Sequence, residues 1–149
     1  MLALTPRRFI RASQRGFTLI ELMIVVSTLG VLTTVAAPSY LDYSKRGRLM
    51  EAFYTLSSYS LALEQYYQDN RTYVGGCTAK PPASGNFTYA CTLGASSYTL
   101  TAAGATPSVN GFVFTIDQAG SRATTAAPSG WTANAACWIS RKSDPCQTY

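Results

Sequence analysis

The chain has 149 residues, of which 13% are charged, and a formal net charge of +5. This length accommodates one globular domain beside a membrane segment and excludes two such domains. A charged content well below the roughly 25% of ordinary soluble domains is more typical of an extracellular protein than of a cytosolic one.

The excess of basic residues lies at the N-terminus. The arginines that precede the first apolar run are Arg7, Arg8, Arg11 and Arg15, with no acid among them. From Phe17 onward, eight basic residues face seven acidic ones. A protein that binds nucleic acid usually presents a basic face, so this near-neutral remainder argues against a nucleic-acid partner. Local basic patches leave that alternative open.

Residues 17–37 read FTLIELMIVVSTLGVLTTVAA, and their only charge is Glu21. An apolar run of 21 residues predicts a helix that can cross about 30 Å of hydrocarbon. The arginines before it place residues 1–16 in the cytoplasm and the rest outside. The alternative is a secretory signal peptide cut near Ala37, but such peptides have shorter apolar regions, of about 7 to 15 residues.

Glu21 needs a physical explanation, because a carboxylate in hydrocarbon costs several kcal/mol. Thr18 and Glu21 fit a capping box, in which both side chains bond to backbone amides of the first turn. The second explanation is a cut after Gly16, which would make the amine of Phe17 a cation. The Phe17 amine of a neighbouring subunit could then neutralise Glu21.

The sequence GFTLIELM at residues 16–23 resembles the signature of type IV prepilins. In that family a prepilin peptidase cuts after the glycine and methylates the new N-terminus, and a glutamate at the fifth mature position acts in assembly. The resemblance implies removal of residues 1–16 as a leader, cleavage between Gly16 and Phe17, N-methylation of Phe17 and an assembly role for Glu21. The implied partners are the prepilin peptidase, other pilins and the pilus assembly machinery.

The same resemblance implies two locations. Before assembly the chain would lie in the inner membrane as a single-pass protein, with residues 17–37 spanning it. After assembly those residues would lie in the core of an extracellular pilus, a fibre of the kind that serves adhesion, twitching motility or DNA uptake.

Pro38 stands where similar pilins have a kink. A proline inside a helix removes one hydrogen bond and clashes with the preceding turn, so a bend is expected there. The alternative is that Pro38 ends the membrane helix. Residues 49–67 carry apolar side chains at spacings of three and four, which predicts an amphipathic helix. With 38–70 as its continuation, a single helix would run over 17–70, on the order of 80 Å.

Residues 71–149 lose the helical period and contain short β-branched and aromatic runs between turn residues. The predicted strands are 87–91, 98–102, 111–117, 121–126 and 137–140. Asp117-Gln118-Ala119-Gly120 predicts a hairpin turn. The predicted fold class is α+β, a type IV pilin fold in which a long N-terminal helix with a protruding apolar half packs on an antiparallel β-sheet head.

The four cysteines all follow the apolar segment, so disulfides are expected. Four cysteines allow three connectivities. Pairing of sequence neighbours would join Cys77 to Cys91 and Cys137 to Cys146. The loops around these residues resemble the αβ-loop and the disulfide-bounded C-terminal region of type IV pilins. The segments YYQDNRTY at 66–73 and GFVFTIDQAGSR at 111–122, with Trp131 and Trp138, are most similar to PilE-type minor pilins.

Enzymatic chemistry finds little support in the sequence. The chain has no histidine, which excludes histidine-dependent triads and zinc sites of the HExxH type. It has no glycine-rich phosphate loop, and Asp117 and Asp144 are isolated carboxylates. No catalytic residue, metal site or cofactor is therefore expected, and the expected role is structural.

Three pilin roles remain after this exclusion: a minor pilin, a major pilin, and a pseudopilin of the type II secretion system. The residues favour the minor pilin, because a pseudopilin head commonly binds calcium and this head lacks an acidic cluster. A separate alternative is a pilus-borne receptor for DNA or a surface ligand. The cations available for that role are Arg71, Lys80, Arg122, Arg141 and Lys142.

Overall fold

The computed structural model describes residues 16–77, 85–142 and 146 of the chain. Along these residues it contains one helix followed by four strands: α1 (Leu19–Asn70), β1 (Phe87–Leu93), β2 (Tyr98–Gly104), β3 (Val113–Asp117) and β4 (Arg122–Ala126). The predicted α+β class is confirmed. The chain divides between Ser39 and Tyr40 into an N-terminal unit and a C-terminal unit, which we call the head.

Helix α1 begins at a threonine cap. Thr18 Oγ1 accepts a hydrogen bond from the amide of Glu21 at 3.3 Å, which satisfies one of the amides that a helix start leaves without a partner. In the N-terminal unit every described side chain of α1 is exposed, including Leu19 at 78% and Leu32 at 65%. Across the residues that the structure describes, no helix is both long enough and apolar enough to cross a membrane.

Helix α1 continues through Pro38 and ends at Asn70. The interpretation in which Pro38 ends the helix is therefore wrong. The predicted single helix forms, and it begins at Leu19 instead of Phe17. At its end, Arg71 takes a left-handed φ of 57°, and its amide donates to the carbonyl of Tyr67 at 2.8 Å. A left-handed residue of this kind is a common way to close the last helical turn.

The four strands form one antiparallel sheet in the order β1-β2-β3-β4, so each strand pairs with the next along the chain. The central pairs place Thr101 opposite Ala90 on one side and opposite Thr115 on the other. The predicted hairpin turn joins β3 to β4. Asp117 Oδ1 accepts from the amides of Ala119 and Ser121, both at 2.9 Å, and Gly120 supplies a φ of 72°.

The head has its own apolar core between α1 and one face of the sheet. The helix contributes Leu49, Ala52, Leu56 and Leu63, and the strands contribute Phe87, Leu100, Ala102, Phe114 and Ile116. Phe53 joins the two layers, with its ring 4.9 Å from that of Phe114 in an edge contact. Each fully buried large side chain contributes roughly 1.5–3 kcal/mol, so this seam holds the helix on the sheet.

The predicted strand at 137–140 is wrong, because no strand forms there. Thr124 of β4 instead holds this segment through its side chain: its Oγ1 donates to the carbonyl of Cys137 at 2.9 Å and accepts from the amide of Ile139 at 3.0 Å. A single bridge, Thr124 to Asn134, provides the backbone pairing. The C-terminal segment thus covers the edge of β4 without extending the sheet. Disulfides join Cys77 to Cys91 and Cys137 to Cys146.

Candidate functional site

The segment predicted to act in processing and assembly lies at the start of α1. Gly16 and Phe17 precede the helix and are exposed, Phe17 at 78%. Thr18 caps the helix, and Glu21 stands in its first turn. This position explains why an acid is tolerated there, since the N-terminus of a helix favours negative charge.

The hydroxyl groups of this helix are satisfied within the helix itself. Four side chains donate to backbone carbonyls three or four residues earlier, at 2.7 to 3.0 Å: Ser27, Thr28, Thr33 and Thr34. Such internal bonds let a hydroxyl enter apolar surroundings without an orphaned donor. Among the described side chains from Leu19 to Thr34, only the carboxylate of Glu21 is polar and has no partner.

Only half of the predicted capping box is present. The hydroxyl of Thr18 accepts from the amide of Glu21, but the carboxylate of Glu21 makes no return bond. Thr18 therefore caps the helix, and the carboxylate of Glu21 has no partner within the described residues. Pro38 lies within the helical backbone of α1, and its predicted kink stays a prediction.

The five cations considered as a ligand surface have different environments. Lys142 pairs with Asp42 at 3.0 Å, and Arg122 lies over the ring of Trp138. The side chains of Arg71 and Arg141 are exposed and have no hydrogen-bond or ion-pair partner in the described part of the chain. Lys80 lies outside the described residues.

The acids of the head are mostly engaged in internal bonds. Six acidic residues follow Ser39 in the sequence. Four of them accept hydrogen bonds or pair with a cation: Asp42 with Lys142, Glu51 with Asn86, Glu64 with Tyr73, and Asp117 with the hairpin amides. Among the described residues, the acids of the head are thus mostly bonded within the fold, whereas several of its cations have no hydrogen-bond or ion-pair partner.

A stack of three side chains gives Arg122 a fixed place. The ring of Trp138 stacks on Phe53 with centroids 5.0 Å apart and an angle of 15° between planes. Its indole Nε1 donates to the carbonyl of Thr115 at 2.8 Å. The guanidinium carbon of Arg122 lies 4.7 Å from the centroid of the Trp138 ring. The stack connects α1, β3, β4 and the C-terminal segment.

Three more cations, Lys45, Arg46 and Arg48, lie at the start of the head, outside the set predicted as a ligand surface. The guanidinium of Arg48 donates to the hydroxyl of Ser108, and Nε of Arg46 is buried without a partner within the described residues. The sequence signal that could have identified these cations was their density, since the three occur within four consecutive residues. The Arg122–Trp138 contact left no such signal, because it joins residues far apart in sequence.

A second polar cluster fixes the end of α1 to the sheet. The hydroxyl of Tyr73 donates to both oxygens of Glu64, at 2.9 and 3.1 Å, and the Tyr73 ring lies 4.9 Å from that of Tyr98. Burial, with the adjacent Glu64 carboxylate, raises the pKa of Tyr73 to about 12. Burial and Glu64 also raise the pKa of Tyr98 above its ordinary value. Both phenols stay neutral at physiological pH, so this cluster is a structural tie.

Two family models match the chain, and together they span residues 11–149. The model described as type IV minor pilin ComP, DNA uptake sequence receptor, matches residues 38–149. The model of the prokaryotic N-terminal methylation motif matches residues 11–37. The first match includes the whole head.

Curated relatives are fimbrial proteins and pilins. Fimbrial protein EcpC of Eikenella corrodens is 46% identical over 56 residues, which is 38% of this chain and 37% of the relative. Type IV major pilin protein PilE1 of Neisseria gonorrhoeae is 41% identical over 76 residues, which is 47% of this chain and 45% of the relative. The matches thus span less than half the length of these relatives.

Among solved structures, the non-core minor pilin PilV of Neisseria meningitidis is similar in fold. The superposition has a TM-score of 0.53 at 22% sequence identity, and it covers 59% of this chain and 93% of that one. At this level of identity the likeness establishes the shared fold alone.

Proposed function

The chain belongs to the family of the type IV minor pilin ComP, and from that premise we propose that it is a minor subunit of a type IV pilus that assembles through α1. One observation carries the proposal: the same helix is exposed and apolar at its start and buried against a sheet in the head. A family of minor pilins favours this role over that of a major pilin or a pseudopilin.

Processing would convert the chain into its assembling form. The prepilin peptidase would cut between Gly16 and Phe17 and methylate the Phe17 amine. The exposure of both residues and their position before the first helical turn support access by a protease. The chain would lie in the inner membrane before assembly and in an extracellular pilus afterwards. Mass spectrometry of the mature protein tests this step by the presence or absence of methylated Phe17 at its start.

Assembly would pair Glu21 with the Phe17 amine of a neighbouring subunit. Between Leu19 and Thr34 the carboxylate of Glu21 has no partner within the described residues, whereas the hydroxyl groups of this stretch bond to carbonyls of the same helix. This difference supports the pairing. In apolar surroundings an ion pair whose partner is removed loses about 3–5 kcal/mol, because one charge stays buried alone.

The variant Glu21→Ala is therefore expected to lower incorporation into pili by about a hundredfold or more. Immunoblots of sheared fibres and of whole cells, normalised to the amount of chain in the cells, measure this. Ser27→Ala is the matched control: it removes a hydroxyl that already bonds within its own helix, so its incorporation is expected to stay normal. Normal incorporation of Glu21→Ala would refute the pairing.

A second candidate function is that of a DNA receptor, the role stated in the description of the matched ComP family. The specific observation in its favour is the unequal engagement of charges: most acids of the head are bonded internally, while Arg71, Arg122 and Arg141 have no hydrogen-bond or ion-pair partner within the described residues. Binding of duplex DNA by the mature chain that weakens steeply with added salt would support this function. Absence of binding at low salt would exclude it.

A further inference from the structure

The cations of the head differ in how firmly the fold holds them, and Arg122 stands apart. It is the first residue of β4, its side chain is exposed, and its guanidinium lies over the indole of Trp138. That guanidinium has no hydrogen-bond or ion-pair partner within the described residues. Its five N–H donors are therefore available to a ligand, while the cation itself is restrained by the ring.

The ring under Arg122 is itself immobilised. Trp138 is 8% exposed, stacks on Phe53 of α1 and donates its indole N–H to the carbonyl of Thr115. The neighbouring Cys137 is fixed by its disulfide to Cys146. A long flexible side chain loses rotamer freedom when it binds a ligand, and prior restraint reduces that loss. Trp138 thus prepares Arg122 for binding at a lower entropic cost.

We propose that Arg122 binds a backbone phosphate of DNA and that Trp138 is the positioning residue that holds it in place; this inference rests on the DNA-receptor function. Trp138 is too buried to stack on a base, which excludes the usual aromatic contact with single strands. Base edges lie inside grooves that a protruding element must enter. The guanidinium of Arg122, held against Trp138, can contact the phosphates without entering a groove, because the phosphates lie on the outside of the duplex.

A phosphate contact makes a prediction that a base contact does not. Neutralising one phosphate of B-DNA adds about 0.9 to the slope of log affinity against log salt concentration, whatever the sequence. We therefore compare mature wild type and Arg122→Gln, both full chains in detergent micelles, by fluorescence anisotropy with two labelled duplexes of unrelated sequence. Arg122→Gln is expected to weaken binding roughly fivefold to tenfold at low salt, equally for both duplexes, and to lower the slope by about 0.9.

Lys45→Gln is the matched control for net charge, because it removes one positive charge from α1 without touching Trp138 or Arg122. Its slope is expected to stay at the wild-type value. An equal effect of the two variants would overturn the proposed contact, as would an unchanged slope or a loss confined to one duplex in Arg122→Gln. If the wild type itself binds neither duplex, the receptor function fails and this inference fails with it.

The positioning role of Trp138 is tested by a double-mutant cycle. Trp138→Leu removes the ring and is expected to weaken DNA binding about threefold in the wild type, but hardly at all in Arg122→Gln, because its effect acts through Arg122. Trp138→Phe keeps a ring under the guanidinium and is expected to retain most of the affinity. Equal losses in both backgrounds would contradict positioning. If Trp138→Leu does not fold, failure of Trp138→Phe to retain the affinity of the wild type contradicts it instead.

Discussion

Helix α1 contains two stretches that resemble each other in composition and differ in environment. Residues 19–34 are all exposed, and their large apolar side chains include Leu29 at 55%. Residues 49–63 present Leu49, Ala52, Leu56 and Leu63 to the sheet, each at most 1% exposed. The first stretch is exposed along its whole length, whereas the second is buried against the sheet.

The difference shows which part of the helix depends on other molecules. The head buries its stretch of α1 against strands of the same chain, so its stability comes from its own core. The N-terminal stretch satisfies its hydroxyls internally and leaves only apolar surface and Glu21 for a partner. A helix of this kind gains the free energy of apolar burial only from a lipid bilayer or from other protein molecules.

The sharpest test of this contrast replaces the same residue type in the two stretches. Leu56→Ala is expected to lower the free energy of unfolding of the head by about 3 kcal/mol, because it removes a buried side chain and leaves a cavity. Leu29→Ala, its matched control, should leave that free energy unchanged. Denaturant unfolding of the full chain in detergent, followed by tryptophan fluorescence, measures both, since Trp131 and Trp138 lie in the head.

The two variants should exchange their effects when incorporation into pili is measured. Leu29→Ala is expected to reduce incorporation while the head stays folded, since its side chain is available only to other molecules. Equal destabilisation of the head by both variants would break the contrast between the two stretches.

A smaller effect is expected at a glycine in the head. A Cβ on Gly104 would lie 1.9 Å from the carbonyl oxygen of Val109, so the chain after β2 must shift to accept a side chain. Gly104→Ala is expected to cost about 2–3 kcal/mol in the same unfolding experiment. Gly30→Ala is the control in the exposed stretch, where a Cβ meets nothing within 4 Å. A head that tolerates Gly104→Ala without loss would contradict this close approach.

The sequence predicted those elements whose formation depends on residues close together along the chain. The apolar spacing of residues 49–67 predicted the second part of α1, and Asp117 with Gly120 predicted the hairpin, because both depend on neighbours in sequence. The largely apolar segment 137–140 was predicted to form a strand but forms none. Its bonding depends on the hydroxyl of Thr124, which lies more than ten residues away.

The charges of the head show that sequence patterns are equally limited in predicting a functional site, because its residues interact across the fold. Counting residues gave a near-neutral head, which argued against DNA. The count could not show that Asp42, Glu51 and Glu64 are engaged within the fold while Arg122 is held over a ring. Whether a charge is available is a property of tertiary contacts, so the sequence could predict the family but not which cations of the head are free to bind a ligand.

The stability of the head is also expected to depend on pH through Tyr73. Its folded pKa is raised to about 12, while an unfolded tyrosine titrates near 10. The protonated phenol is therefore favoured by folding, and its contribution is complete below pH 10 and is lost as the pH rises from about 10 to about 12. Chemical denaturation across that range should show the stability of the head falling.

Glu64→Gln separates the two causes of this shift. The neutral amide can still accept a hydrogen bond from Tyr73, so the cost at neutral pH is expected to be about 1 kcal/mol. The pKa of Tyr73 should fall toward its ordinary value but stay above it, because burial is the larger cause. Ultraviolet titration of the tyrosines measures this shift.

Glu51→Gln is the control, since Glu51 bonds to Asn86 and not to a tyrosine. An unchanged Tyr73 titration in Glu64→Gln would assign the whole shift to burial, and the tie between α1 and the turn at Tyr73 would then be a packing contact without an electrostatic part.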